Sequence, residues 1–73
     1  MAMHRGEYRG QDLRGMRRKL KLTQAEVARV WGKHQSNLCN IELNRRRISH
    51  NAYKGIRDAI LKAAELREEG RHE

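Results

Sequence analysis

The hydrophobic positions of this chain recur every three or four residues, which is the spacing of amphipathic helices. In the first such segment, residues 10–20, an apolar stripe is formed by Leu13, Met16 and Leu20. Basic residues cover the opposite side, apart from Arg17, which the helical spacing places beside the stripe. We therefore predict a first helix over this segment, with Arg17 at the edge of the core.

The next segment carries start and stop signals for a second helix. Thr23 followed by Glu26 matches a capping box, in which the Thr hydroxyl accepts a backbone N–H and the Glu carboxylate reaches back. Gly32 is of the residue type that commonly ends helices in the left-handed conformation. We predict that the helix starts at Gln24 and ends at Gly32. Its predicted inner face consists of Val27, Ala28, Val30 and Trp31.

A third short helix, predicted over residues 35–42, divides into an apolar and a polar side. Leu38 and Ile41 share the apolar side and are expected to anchor the helix to the core. The other side carries groups that donate and accept hydrogen bonds. It is either an ordinary solvated helix face or a surface that reads a polar ligand. Its residues are Gln35, Ser36, Cys39 and Asn40.

The longest amphipathic segment follows a basic turn at residues 44–47. Either Ser49 or Asn51 is the predicted cap of this fourth helix, and Gly70 is its predicted stop. Its broad apolar face is expected to complete the core, whereas Leu61 stands alone on the far side. Leu61 is either an incidental exposed leucine or part of a contact between subunits.

Length and composition agree with a small helical domain. The 73 residues include no Pro and are rich in good helix formers, so we expect an all-α fold, a bundle of four to five helices. We divide it into a basic N-terminal arm at residues 1–9, a core at residues 10–50 and a C-terminal helix at residues 51–73. The arm is either a frayed terminus or a segment whose Tyr8 packs on the core.

Positive charge is concentrated in the first two thirds of the chain. Residues 1–50 hold 12 Lys and Arg against 4 Asp and Glu, whereas residues 51–73 hold 5 of each. A membrane surface would require a broad apolar face opposite the basic one, which no segment has. No signal peptide or membrane span is evident either, so we expect a cytoplasmic protein. Nucleic acid is the expected partner of the positive charge.

From Asp12 to Ser49 the sequence resembles the Cro/repressor helix-turn-helix family (XRE type) of phage repressors and small bacterial regulators. The spacing from Gln24 through Gly32 to Glu42 is specific to this pattern. The resemblance implies a lambda-repressor-like fold whose third helix enters the major groove of DNA. The residues that carry it are Leu13-Arg14, Arg17, Leu22-Thr23-Gln24, Val27-Ala28, Gly32, Gln35-Ser36, Ile41-Glu42 and Ser49.

By the same resemblance, Gln35, Ser36 and Asn40 are the predicted base-reading residues. Their chemistry fits, because an amide presents a donor and an acceptor side by side, as adenine N7 and N6 require. A run of basic residues is often only a solvated turn, but here it lies beside the reading helix. The predicted phosphate contacts are Gln24, Lys33, Arg45 and Arg47, and further candidate DNA contacts are Arg5, His34, Cys39 and Arg46.

The resemblance also implies a partly buried salt bridge between Arg17 and Glu42, which would orient the reading helix. The chain departs from the family pattern at three points. Lys33 replaces a small apolar residue, Leu43-Asn44 replaces the common Asn-Gly, and one long C-terminal helix replaces two shorter ones. The dimer arrangement of the family therefore does not carry over directly.

Other chemistry has little support in the sequence. The four histidines are scattered and show no ligand spacing with Cys39, so we predict no metal site and no cofactor. No nucleophile–base pair or phosphate-cradling glycine loop is present, and we therefore expect neither enzyme activity nor a small-molecule substrate. Oxidation of Cys39 as a redox switch is weakly motivated.

The expected function is a sequence-specific regulator that binds double-stranded DNA at a palindromic operator as a homodimer. A repressor, and by family habit an autorepressor of phage or mobile-element type, is favoured because the second helix lacks an acidic patch for polymerase. The alternative is an antitoxin-like module that masks a partner protein through its C-terminal helix. A third, weaker possibility is nonspecific DNA compaction, which would show salt sensitivity without base preference.

Overall fold

Four helices and no strand make up the residues that the structure describes, 9–45 and 47–70 of a computed structural model. The all-α prediction is confirmed, with four helices. Most of the predicted N-terminal arm lies outside the described residues, as do the candidate DNA contacts Arg5 and Arg46. The helices are α1 (Gly10–Lys19), α2 (Gln24–Trp31), α3 (Gln35–Glu42) and α4 (His50–Gly70).

The ends of α2 follow the predicted capping signals. Thr23 Oγ1 accepts the backbone N–H of Glu26 at 3.1 Å, and the Glu26 carboxylate accepts the backbone N–H of Thr23 at 2.7 Å. Gly32 ends the helix with a φ of +83°, in the left-handed region that glycine adopts without steric penalty. Both predicted signals are therefore confirmed, and they set the length of α2.

The helices α1 and α3 end without glycine, which the sequence did not reveal. Lys21 and Asn44 follow these helices with a φ of 59°, in the left-handed region. After α1, the backbone N–H of Leu22 donates to the carbonyl of Arg17 at 3.1 Å, which is the hydrogen bond of a Schellman motif. The motif turns the chain sharply and brings Leu22 into the core, where it is buried.

The start of α4 is capped by Ser49, one of the two predicted candidates. Its Oγ accepts the backbone N–H of Ala52 at 3.1 Å, whereas Asn51 lies inside the helix. The helix includes Gly70, the last described residue. Although α4 has 21 residues, neither it nor any other helix of the described residues is long and apolar enough to cross a membrane.

The core combines apolar side chains from all four helices. α4 lies across α1 and α2, while α3 packs against α1 and α2 on its apolar side. Burying one such side chain contributes roughly 1.5–3 kcal/mol, so these contacts hold α3 in place and leave its polar side outward. The side chains with no exposed surface are those of Leu13, Val27, Leu38, Ile56 and Ile60.

Candidate nucleic-acid interface

The polar side of α3 begins at a histidine cap. Nδ1 of His34 accepts the backbone N–H of Ser36 at 3.3 Å and lies 3.1 Å from Ser36 Oγ. Nδ1 accepts this N–H through its lone pair, so in this geometry the ring N–H lies at Nε2. His34 was predicted near the DNA, but its capping role was missed because histidine is not a preferred N-cap residue.

The predicted ion pair between Arg17 and Glu42 is present, and it joins α1 to the C-terminal end of α3. Arg17 Nε donates to Glu42 Oε2 and Arg17 Nη2 donates to Glu42 Oε1, each at 2.8 Å. The Glu42 side chain is only 1% exposed. The hydrogen bonds to Glu42 raise the pKa of Arg17, against desolvation, which lowers it. The pair fixes the end of α3 to α1.

Gln24 connects this ion pair to the outer end of α3. Its Nε2 donates to Glu42 Oε1 at 3.0 Å, and its Oε1 accepts a hydrogen bond from Gln35 Nε2 at 3.5 Å. A carboxylate accepts but does not donate, so the NH2 group of Gln24 must face Glu42 and its oxygen must face Gln35. The contact to Gln35 is long and therefore weak. One N–H of Gln24 is left for an external partner.

The predicted base-reading residues lie together in the structure. They line one shallow surface depression on the polar side of α3, and each is exposed or half-exposed. This side of the helix is covered neither by α4 nor by another described segment. It can therefore contact a polar ligand directly. The residues that line the depression are Gln24, His34, Gln35, Ser36, Cys39 and Asn40.

Two of the predicted phosphate contacts, Lys33 and Arg47, flank a second depression on another side of α3. The Lys33 amine lies 5.8 Å from the centroid of the Trp31 ring, within the range of a cation–π contact. Its side chain remains exposed, as do those of Arg47 and Arg45 in the turn before α4. Lys33 therefore lies beside the Trp31 ring with its amine open to solvent.

Lys33 and Arg47 make the second depression positive, whereas no Lys or Arg lines the depression on the polar side of α3. None of the described residues that line them is acidic. The nearby carboxylate of Glu42 is buried and already bonded to Arg17. Within the described part of the chain, no group of three His, Cys, Asp or Glu side chains is placed to hold a metal ion. Anionic ligands therefore meet no competing negative charge at this surface.

Comparisons with known proteins do not assign the chain to a family. No protein-family profile matches the chain, and neither the curated proteins nor the solved structures include a match.

Proposed function

We propose that this protein is a sequence-specific regulator of transcription that binds double-stranded DNA through a lambda-repressor-like helix-turn-helix formed by α2 and α3. The observation that carries the proposal is the exposed polar side of α3, with Gln35, Ser36 and Asn40 on one surface. The major groove is about 12 Å wide and admits a helix. With eight residues, α3 is about 12 Å long, enough to contact a few base pairs.

The hydrogen-bonding groups of Gln35 support base reading. One of its N–H groups contacts Gln24, which leaves Oε1 and the second N–H. Adenine presents the N7 acceptor and the N6 donor in the major groove, a pair that an amide oxygen and an amide N–H complement. Asn40 offers the same pair of groups, and the Ser36 hydroxyl adapts to either a donor or an acceptor.

Phosphate binding is assigned to the exposed basic residues around α3. Lys33, Arg45 and Arg47 are exposed, and Gln24 keeps one free N–H at the N-terminus of α2. Such contacts place the protein on the duplex without reading sequence. His34 and Cys39 lie on the same surface as the base-reading residues and are further candidates. Arg5 and Arg46 remain predictions from the sequence.

A repressor acting as a homodimer on a palindromic operator is the form of regulation that we favour. Two copies of α3 would enter successive major grooves, about 34 Å apart. The exposed side of α2 presents Ala25 and Arg29, and Glu26 is engaged in the capping box and in an ion pair with Arg67. This surface has no acidic patch to recruit polymerase, whereas occupation of a promoter is sufficient for repression.

Selection of bound DNA from a random pool tests the proposal. We expect a symmetric motif to be enriched by the wild-type chain. A Gln35→Ala/Asn40→Ala variant serves as the matched control, because it keeps the basic residues but loses two reading side chains. Binding without enrichment would replace the proposal with nonspecific compaction, and an absence of DNA binding at low salt would reject it.

The antitoxin-like alternative is favoured by a different observation on α4. Leu61 and Leu66 are 51% and 46% exposed, and residues 51–73 have no net charge. Exposed leucines on a helix without net charge suit a protein partner better than a nucleic acid. Stable co-purification of an unrelated protein with the wild-type chain, lost on Leu61→Asp/Leu66→Asp substitution, would support this alternative.

A further inference from the structure

The exposed side of α4 carries charges that are ordered by sign around Leu61. Arg57 and Lys54 lie four and seven residues before Leu61, and Glu65 and Glu68 lie four and seven residues after it. At about 100° per residue, the five side chains fall within about 80° of the helix circumference. We refer to these five residues as the Leu61 stripe.

The last charge of the stripe is unfavourable within a single helix. Cations are stabilising near a helix C-terminus, but Glu68 places an anion in the last turn of α4. Arg57 and Glu65 are about 12 Å apart along the axis, too far to form an ion pair within α4. The ion pair that Arg57 does make, with Asp58 at 3.7 Å, is exposed and therefore weak. Asp58 lies four residues after Lys54 and Lys62 lies three residues before Glu65, but exposed pairs of this kind stabilise a helix only slightly.

We propose that the Leu61 stripe binds the same stripe of a second copy, with the two α4 helices antiparallel and a two-fold axis at Leu61. Leu61 then contacts Leu61 of the partner subunit. Arg57 lies opposite Glu65 of the partner subunit and Lys54 lies opposite Glu68 of the partner subunit, and the symmetry repeats both pairs. A parallel pairing would instead bring like charges together, so the charge order selects the antiparallel one.

The pairing also improves the electrostatics at the C-terminal end of each α4. In an antiparallel pair, Lys54 of the partner subunit lies beside Glu68, so the partner supplies a cation near the C-terminus of the helix. The contact buries little apolar surface, because Leu61 and the half-buried Ala64 are the apolar residues available. The dimer is therefore weak and sensitive to salt in free solution. Binding of two copies to adjacent half-sites would strengthen it.

The biological role of this dimer rests on the proposed function, since a palindromic operator requires two copies, but its test needs no DNA. The purified full chain is used in a Cys39→Ser background, so that an introduced cysteine is the sole thiol. Leu61→Cys is compared with Leu66→Cys, a matched control of similar exposure about 140° around the same helix. The measurement is the rate of disulfide-linked dimer formation under mild oxidation.

We expect Leu61→Cys to cross-link about tenfold faster than Leu66→Cys, because a two-fold axis at residue 61 brings the two sulfur atoms within bonding reach. Equal rates would indicate random collision and overturn the pairing. Faster reaction at position 66 would move the interface to another side of α4. Cross-linking of Leu61→Cys to an unrelated protein in cell extract, with no homodimer in the purified sample, would also reject the proposal.

A charge reversal tests the antiparallel register. Arg57→Glu in the Leu61→Cys chain should slow cross-linking about fivefold to tenfold, since two ion pairs become two repulsions. The double change Arg57→Glu/Glu65→Arg should restore the original rate, because it exchanges the charges of the same pairs. Circular dichroism of each variant establishes that α4 is folded. A double variant as slow as Arg57→Glu alone would contradict the register.

Discussion

At the scale of single residues, His34 occupies a position that Ser, Thr, Asp and Asn usually fill. Its Nδ1 satisfies the Ser36 backbone N–H and lies within hydrogen-bond distance of the Ser36 hydroxyl. The cap therefore stabilises α3 and also orients one of the proposed base-reading side chains. A side chain without an acceptor, such as that of alanine, would leave both groups of Ser36 to solvent.

Replacement of the cap should change stability in a graded way. We expect His34→Ala to lower the free energy of unfolding by about 1 kcal/mol, because a helix N–H loses its acceptor. His34→Asn should be at least as stable as the wild type, since the Asn oxygen can accept the same N–H. Urea unfolding of the three proteins measures the difference. If the Asn variant is as unstable as the Ala variant, the capping assignment is wrong.

The proposed roles of Gln35 and Arg47 predict different responses in DNA binding. Gln35→Ala should weaken binding to the selected operator by roughly 1–3 kcal/mol and leave random DNA little affected, because it removes a base contact. Arg47→Ala should weaken both kinds of DNA about equally and reduce the salt slope by about one. Titrations at several salt concentrations measure both effects. Equal loss on both kinds of DNA for Gln35→Ala would contradict the assigned reading surface.

At the scale of helices, the ion pair between Arg17 and Glu42 joins α1 to the end of α3. Glu42→Ala leaves the Arg17 guanidinium, whose side chain is only 12% exposed, without its carboxylate, so it should destabilise the fold by roughly 3–5 kcal/mol. The double variant Arg17→Met/Glu42→Leu should recover most of this stability, since apolar residues of similar size avoid desolvation.

The same double variant separates stability from orientation. It should bind the operator more weakly than the wild type even though it is folded, because Gln24 loses the acceptor that fixes its amide. Thermal unfolding and operator titration of the same samples measure the two effects. A folded double variant with unchanged operator affinity would show that the ion pair does not orient α3.

The capping box of α2 predicts a component of acid sensitivity. The hydrogen bond from the Thr23 backbone N–H lowers the pKa of Glu26 below its ordinary value. The stabilisation is therefore fully present above the pKa of the unfolded chain, about 4.3, and is lost as the pH falls through the lower pKa of the folded state.

Comparison of wild type with Glu26→Gln tests the titration of the Glu26 carboxylate, including its ion pair with Arg67, because Gln can still accept the Thr23 N–H but does not titrate. We expect the stability difference between the two proteins to shrink between about pH 5 and pH 3. Unfolding curves across this range provide the measurement. A difference that stays constant with pH would contradict the assigned role of the Glu26 carboxylate.

Helix positions were predictable from local sequence where the stabilising partner is a near neighbour. Thr23 and Glu26 are three residues apart, and the left-handed end of α2 needs only Gly32 itself. Gly10 illustrates the opposite case: it is buried, and a Cβ there would collide with the Ile41 carbonyl. The need for glycine arises from the close packing of α1 against α3. No local sequence pattern reveals such a contact between distant residues.

The candidate site was predictable to a similar extent. Helical periodicity placed Gln35, Ser36 and Asn40 on one side, and they do share a surface. The inward hydrogen bond of Gln24 was not foreseen, because it depends on the burial of Glu42, a residue 18 positions away. The left-handed conformation of Lys21 was also missed, since lysine carries no preference for it.

At the scale of the whole molecule, the far end of α4 is fastened to the turn between α1 and α2. Arg67 donates to the carbonyl of Lys21 and, at 3.1 Å, to the carboxylate of Glu26. The proposed DNA surface on α3 and the proposed association surface on α4 thus belong to helices joined through α2. Charge is divided in the same way. Residues 1–50, which include α3, carry the net charge of +8, and residues 51–73, which contain most of α4, carry no net charge.

The fixed amide of Gln24 restricts how this protein can evolve a new target sequence. Because its oxygen points at position 35, a residue there that brings a second acceptor alone, such as glutamate, would face electrostatic repulsion before it met any base. Donor-bearing residues, such as lysine, arginine or asparagine, meet no such barrier. We therefore expect descendants with altered operators to vary within this donor class first, and to admit an acidic residue at position 35 only after Gln24 or Glu42 has changed.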